Sequence, residues 1–136
     1  LDESLFPKIT FLSGNELEVS TMTGLAVTNV ETAKKASTIL RDRGARTVIV
    51  TLGYLGAILL EENKKTPEYF PGEYVHVVDE TAAGDAFRAA FITEYFESKD
   101  MQKAMKLANR AGAFAVTRLG SFEALPTREE LEFFHP

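Results

Sequence analysis

Five consecutive β-branched residues, Thr47-Val48-Ile49-Val50-Thr51, constrain the fold of this chain more than any other feature. Such side chains are stiff at χ1 and pack well on a pleated surface, so the run reads as a strand. Its apolar pattern is continuous rather than alternating, which marks a strand covered on both faces, as in a parallel sheet flanked by helices. Just upstream, Ala33, Ala36, Ile39 and Leu40 recur at helical spacing between Val30 and Arg43, and Gly44 supplies the stop.

The remaining segments extend this pattern. Lys8 to Leu12 reads as a short strand ended by Ser13-Gly14, and Asn15-Glu16-Leu17-Glu18 starts a short helix. Leu52 to Gly56 turns, and Ala57 to Glu61 extends again. Pro67 and Pro71 punctuate, and Tyr74 to Val78 alternates like another strand. Helices are predicted over Ala86–Phe96, Met101–Thr117 and Arg128–Phe134, with Phe87, Phe91 and Tyr95 forming a core stripe on the first. Strands lead and helices close the chain, so the expected class is an α/β sandwich.

The 136 residues fit one domain, and no Pro/Gly/Ser-rich linker divides them, so residues 1–136 are taken as one unit. Apolar residues at 45% and charged residues at 26% exclude a disordered tail. A net charge of -5 provides no global positive field, so neither nucleic acid nor a membrane surface is an expected partner, and any phosphate must be held locally. The absence of cysteine excludes a disulfide scaffold, a thiolate zinc site and a cysteine nucleophile, and fits the cytoplasm. His76 and His135 offer no metal-ligand spacing. The chain opens at Leu1 rather than at methionine, as a processed product or a fragment would.

Chemistry concentrates in Val78-Asp79-Glu80-Thr81-Ala82-Ala83-Gly84-Asp85-Ala86-Phe87. Small residues at 82 to 84 let the backbone turn tightly and let an anion approach, and the first amides of the following helix have no internal acceptor. Such a helix start is a ready phosphate cradle. Asp85, in or just before the first turn, is placed to orient a hydroxyl for phosphoryl transfer, where orientation matters more than base strength. On spacing alone the simpler reading, a carboxylate capping a helix, is the favoured one.

This stretch resembles the signature of the ribokinase/PfkB family of carbohydrate kinases, Asp-Thr-x-(Gly/Ala)-Ala-Gly-Asp-x-Phe. Three further segments follow the family order: Asn15-Glu16-Leu17-Glu18 is similar to its Asn-x-x-Glu motif, Thr51-Leu52-Gly53-Tyr54-Leu55-Gly56 to its nucleotide segment, and Ala115 to Gly120 with Pro126 to Glu130 to its closing loop and last helix. The resemblance implies a three-layer α/β/α, Rossmann-like (ribokinase-like) sheet, incomplete because the N-terminal half and lid are absent. It implies ATP-dependent phosphoryl transfer to a sugar hydroxyl, with Asp85 as base and the Ala82, Ala83, Gly84 and Asp85 amides as anion hole. Thr51, Gly53 and Gly56 would line the nucleotide site, Asn109 would lie near the adenine, and Asn15 and Glu18 would act around the phosphates and magnesium, Glu18 through water. Many members also hold a monovalent cation such as potassium, and the matching positions are Asp79, Thr81, Ala115, Arg118 and Gly120. Ala124 stands where ribokinase completes that site with a hydroxyl residue, which weakens the potassium reading.

Each assignment has a plainer counterpart. Asn-x-x-Glu at a helix start is also a capping box. The glycine segment also suits a strand-turn-strand connection, and Asn109 also suits an ordinary polar helix position. Glu80 in place of threonine, Arg88-Ala89 in place of Asn-Gly, and Gly14 in place of proline argue against naming ribose as acceptor. A nucleoside kinase and a non-catalytic homologue that binds nucleotide or a partner chain are the rival readings. The expected partners are ATP and a small sugar or nucleoside. A second copy of the chain or a separate N-terminal half could cover the sheet edge exposed at the break. Without the wall that positions the sugar, the isolated chain is expected to show little or no kinase activity.

Overall fold

A computed structural model of the chain describes residues 2–136, which form two compact units, one through Pro71 and one from Gly72 onward. In the first unit the elements run β1 (Phe11–Gly14), α1 (Glu16–Thr23), α2 (Val30–Asp42), β2 (Thr47–Thr51), β3 (Gly56–Leu60) and β4 (Glu68–Pro71). They build one four-stranded sheet in the order β1-β2-β3-β4.

β1 and β2 are parallel, with Phe11 opposite Thr47 and Gly14 opposite Val50. The two helices between them provide the crossover that a parallel pair requires. β3 runs antiparallel to β2, with Val50 opposite Ile58, and β4 antiparallel to β3, with Ala57 opposite Phe70. The sheet is therefore mixed, with β1 and β2 as its parallel pair. The β-branched run reports burial on both faces, whereas strand direction follows from the short turn between β2 and β3.

Side chains alternate across the sheet. Leu12, Val48, Val50, Ile58 and Leu60 join Val19, Ala33, Ala36 and Leu40 of the two helices in a single core. Ile49 and Leu59, paired on the opposite face, are only 1% exposed as well. Burying a side chain such as Leu40 or Ile58 is worth about 1.5–3 kcal/mol. Gly14 is explained by packing, because a Cβ there would lie 3.0 Å from the Val19 Cγ2.

Two expected strands are corrected. The strand expected over Lys8–Leu12 is present but shifted: Glu3–Lys8 is a 3₁₀ turn around Pro7, anchored by buried Phe6, and β1 starts at Phe11 and runs on through Ser13-Gly14. Proline fixes φ and donates no hydrogen bond, which favours the turn over the ladder. Tyr74–Val78 forms no strand, and the fourth strand is Glu68–Pro71. Alternation is of no use without a neighbouring strand, and β3 pairs with the segment that directly follows its own turn. Pro71 is tolerated because β4 is an edge strand.

The second unit holds α3 (Ala83–Ser98), α4 (Met101–Val116) and α5 (Arg128–Phe133). Lys99-Asp100 links α3 and α4 as a tight helical hairpin, and Asp100 caps α4 through the amides of Gln102 and Lys103. Ala104, Met105, Ala108, Ala111, Phe114 and Ala115 form the buried face of α4. The near-continuous small residues allow close approach, and a Cβ on Gly112 would sit 3.5 Å from the Ala83 carbonyl oxygen. Phe87 and Phe91 are buried, and the half-buried Tyr95 ring stacks on Phe91 with centroids 6.1 Å apart, so the aromatic stripe is core at its first two residues. Arg110 ties α4 to the chain end by donating to the carbonyls of Leu131 and Phe134. Among the described residues no helix is long and apolar enough to cross a membrane.

Candidate active site

In the second unit, α3 begins without a side-chain cap. Ala82 occupies the N-cap position at φ 65°, ψ -1°, the left-handed region that a non-glycine residue adopts at a cost of about 1–3 kcal/mol. Ala83 donates to the Glu80 carbonyl at 3.3 Å, and the first helical bond runs from the Ala86 amide to the Ala82 carbonyl at 2.9 Å. The Gly84 and Asp85 amides therefore sit in the first turn without an intrahelical acceptor. Asp85 projects from the same turn, exposed, and carries no hydrogen bond or ion pair among the described residues. It does not cap its own helix, which separates it from the simpler reading that spacing favoured.

The loop leading into α3 is stapled by Asp79. Its Oδ1 accepts the Thr81 amide at 2.9 Å and its Oδ2 the Gly120 amide at 3.0 Å. Hydrogen bonding, first from the Thr81 side chain and then from the Gly120 and Thr81 amides, holds the Asp79 carboxyl below the usual carboxylate range. The Val78 and Asp79 amides both donate to the Val116 carbonyl, at 2.7 and 3.2 Å. Asp79, Thr81 and Gly120 are thus brought together, and Gly120 adopts φ 97° to turn back toward the carboxylate. Ala115 accepts the Arg118 amide at 3.2 Å, while the Arg118 side chain leaves the loop to lie over Phe114 and pair with Glu130 at 3.0 Å. Asn109 lies half-buried on α4, one turn before Gly112.

In the first unit, Asn15 and Glu18 form a complete capping box: Asn15 Oδ1 accepts the Glu18 amide and Glu18 Oε2 accepts the Asn15 amide, each at 2.9 Å. Thr51 ends β2 beside β1, its hydroxyl 3.5 Å from the Gly14 carbonyl. Gly53 and Gly56 have φ of 51° and 99°, and a Cβ on Gly53 would meet only Glu16 Oε1, at 3.8 Å. The turn needs glycine for its backbone and leaves open space above Gly53. Both motifs follow the carboxyl ends of the parallel pair β1 and β2, the end at which open α/β sheets receive ligands.

Among the described residues no group of three or more His, Cys, Asp and Glu side chains could hold a metal. A lone exposed Glu18 fits magnesium that arrives on a nucleotide's phosphates and retains its water, which is the usual mode for that ion. At the monovalent-cation position Ala124 is fully buried and offers no oxygen from its side chain. One residue near the site was legible in sequence only as a departure from the family pattern. Arg88 folds back over the start of α3, its Nη2 3.1 Å from where a Gly84 Cβ would stand.

Comparison with known proteins identifies the family and the fold. The family model described as pfkB family carbohydrate kinase matches residues 2–128. A ribokinase of Haemophilus influenzae is 35% identical over 134 residues, covering 98% of this chain and 43% of that protein. A deoxyribokinase of Salmonella typhi is 35% identical over 130 residues, covering 96% of this chain and 42% of that protein. The structure of Arabidopsis thaliana ribokinase complexed with ribose and ATP superposes with a TM-score of 0.87 at 30% identity, covering 96% of this chain and 42% of that one. The chain spans less than half the length of these relatives. Its fold is the ribokinase-like α/β fold, and the chain belongs to the pfkB family of carbohydrate kinases.

Proposed function

We propose that this chain carries the nucleotide-binding residues and the catalytic base of an ATP-dependent kinase that phosphorylates a hydroxyl of a small sugar or nucleoside. The observation that carries the reading is the uncapped start of α3 beside the exposed, unpartnered Asp85. Free amides and a free carboxylate in one helical turn are what in-line phosphoryl transfer to an alcohol needs. Asp85 accepts the proton of the acceptor hydroxyl as its oxygen bonds to the terminal phosphorus, and the bond to the leaving diphosphate breaks. The Gly84 and Asp85 amides, with the backbone of Ala82 and Ala83 leading into them, hold the migrating negative charge.

In the first unit, Asn15, Thr51, Gly53 and Gly56 are assigned to the nucleotide, and Glu18 to a water of its magnesium, which supplies charge neutralisation on the phosphates. Asn109 is assigned to the adenine end. The ribokinase and deoxyribokinase relatives, and the ribokinase structure complexed with ribose and ATP, point to ribose, deoxyribose and ATP as the substrates to try first. Calorimetric titration with magnesium ATP, followed by turnover on a panel of pentoses and nucleosides, tests the assignment. Binding is expected, with a rate that falls by about 10²–10⁴ in Asp85→Asn wherever turnover is measurable. Binding without turnover supports the reading that the acceptor wall lies outside these residues or that the chain is a nucleotide-binding module. An unchanged rate in Asp85→Asn removes Asp85 as the base.

A further inference from the structure

The chain has seven arginines, and six of them have evident partners. Arg41 donates to the Glu61 and Glu62 carbonyls, and Arg43 to the Met22 carbonyl. Arg46 pairs with Glu62, Arg118 with Glu130, and Arg128 with Glu94 and Glu97. Arg110 donates to the carbonyls of Leu131 and Phe134. Arg88 alone, among the described residues, makes no such bond, and its Nε is buried without an acceptor.

Its position makes that vacancy informative. Arg88 stands one helical turn after Gly84 and Asp85, and its guanidinium folds toward the helix start until Nη2 lies 3.1 Å from where a Gly84 Cβ would be. A Cβ at 84 would crowd its Nη2, so glycine here leaves room for the guanidinium as well as an anion. It also forms no ion pair with Asp85, three residues earlier, so the carboxylate stays available. A buried guanidinium nitrogen with nothing to donate to is costly, and its fixed fork of donors suits phosphate oxygens.

We propose that Arg88 is a phosphate-binding residue of the kinase site, donating to the phosphoryl group held at the Gly84 amide. The proposal rests on the kinase reading above and adds a group that reading does not include. It makes the loop's preference for a nucleoside triphosphate over a diphosphate depend on one side chain.

The test is calorimetric titration of the full chain with magnesium ATP and magnesium ADP for the native protein, Arg88→Ala and Arg88→Lys. The expected result is an ATP affinity about tenfold weaker in Arg88→Ala, with ADP affinity nearly unchanged and Arg88→Lys intermediate. A structural role would weaken both nucleotides together, and that result, or an undiminished preference for ATP, overturns the proposal. Equal binding of ATP and ADP by the native chain overturns it too. If the native chain binds neither nucleotide, the kinase reading falls and Arg88's role with it; if it prefers ATP through some other group, only Arg88's role falls. Should Arg88→Ala fail to fold, Arg88→Lys keeps the stem and the charge and decides by the same ratio, an unaltered ATP preference counting against the proposal.

Discussion

The Asp79 carboxylate accepts the Gly120 amide at 3.0 Å, joining the loop before α3 to the loop after α4 across 41 residues of chain. With its other oxygen on the Thr81 amide, Asp79 sets the path by which the backbone enters the left-handed turn at Ala82. The uncapped helix start depends on this staple, since no side chain at the N-cap itself holds the turn in place.

Replacing Asp79 with asparagine should lower stability with a defined pH dependence. The folded carboxyl titrates below its unfolded value, so its contribution is fully present above the ordinary carboxylate range and is lost as pH falls through the lowered value. The gap in urea midpoint between the native chain and Asp79→Asn should be constant from about pH 8 to 5 and close below about pH 4. Glu130, held low first by the Thr127 amide, titrates in the same range in both proteins, so the difference between the two curves isolates Asp79.

Asn15→Ala should cost about 1 kcal/mol in chemical unfolding, because the Glu18 amide loses its acceptor. Asn15→Ser, a good N-cap residue, should recover most of the loss. A double-mutant cycle with Glu18→Ala should show coupling of about 0.5 kcal/mol or more, measured by urea denaturation.

Gly44→Ala should destabilise by at least about 2 kcal/mol, from the left-handed backbone and from overpacking. Gly44 has φ 112°, and a Cβ would lie 2.9 Å from Pro7 Cγ and 3.1 Å from the Pro7 nitrogen. Its amide donates to the Arg41 carbonyl at 2.9 Å and the Ala45 amide to the Leu40 carbonyl at 3.3 Å, the paired bonds that close α2. A fall in thermal midpoint of the variant checks the prediction.

Ala82→Gly should raise stability by up to about 1 kcal/mol, since glycine relieves the positive φ and only part of that gain is lost to unfolded-chain entropy. Ala82→Val should do the opposite, because a β-branched residue resists φ 65°. Thermal unfolding of the pair reads the sign directly.

The sequence by itself determined what local backbone chemistry controls. The β-branched run became β2 at its expected residues, Asn15 and Gly44 marked helix limits, and the small-residue turn opened α3 beside an available Asp85. These features depend on sterics and amides within a few residues, and such signals are written in order along the chain. Only tertiary structure decided the direction of β3, the choice of Glu68–Pro71 over Tyr74–Val78 as a strand, the bond from Asp79 to Gly120, and the fold of Arg88 over Gly84. A ladder needs a neighbour and a carboxylate takes the amides that the loops bring to it. A long side chain's direction likewise depends on the space left open by its surroundings.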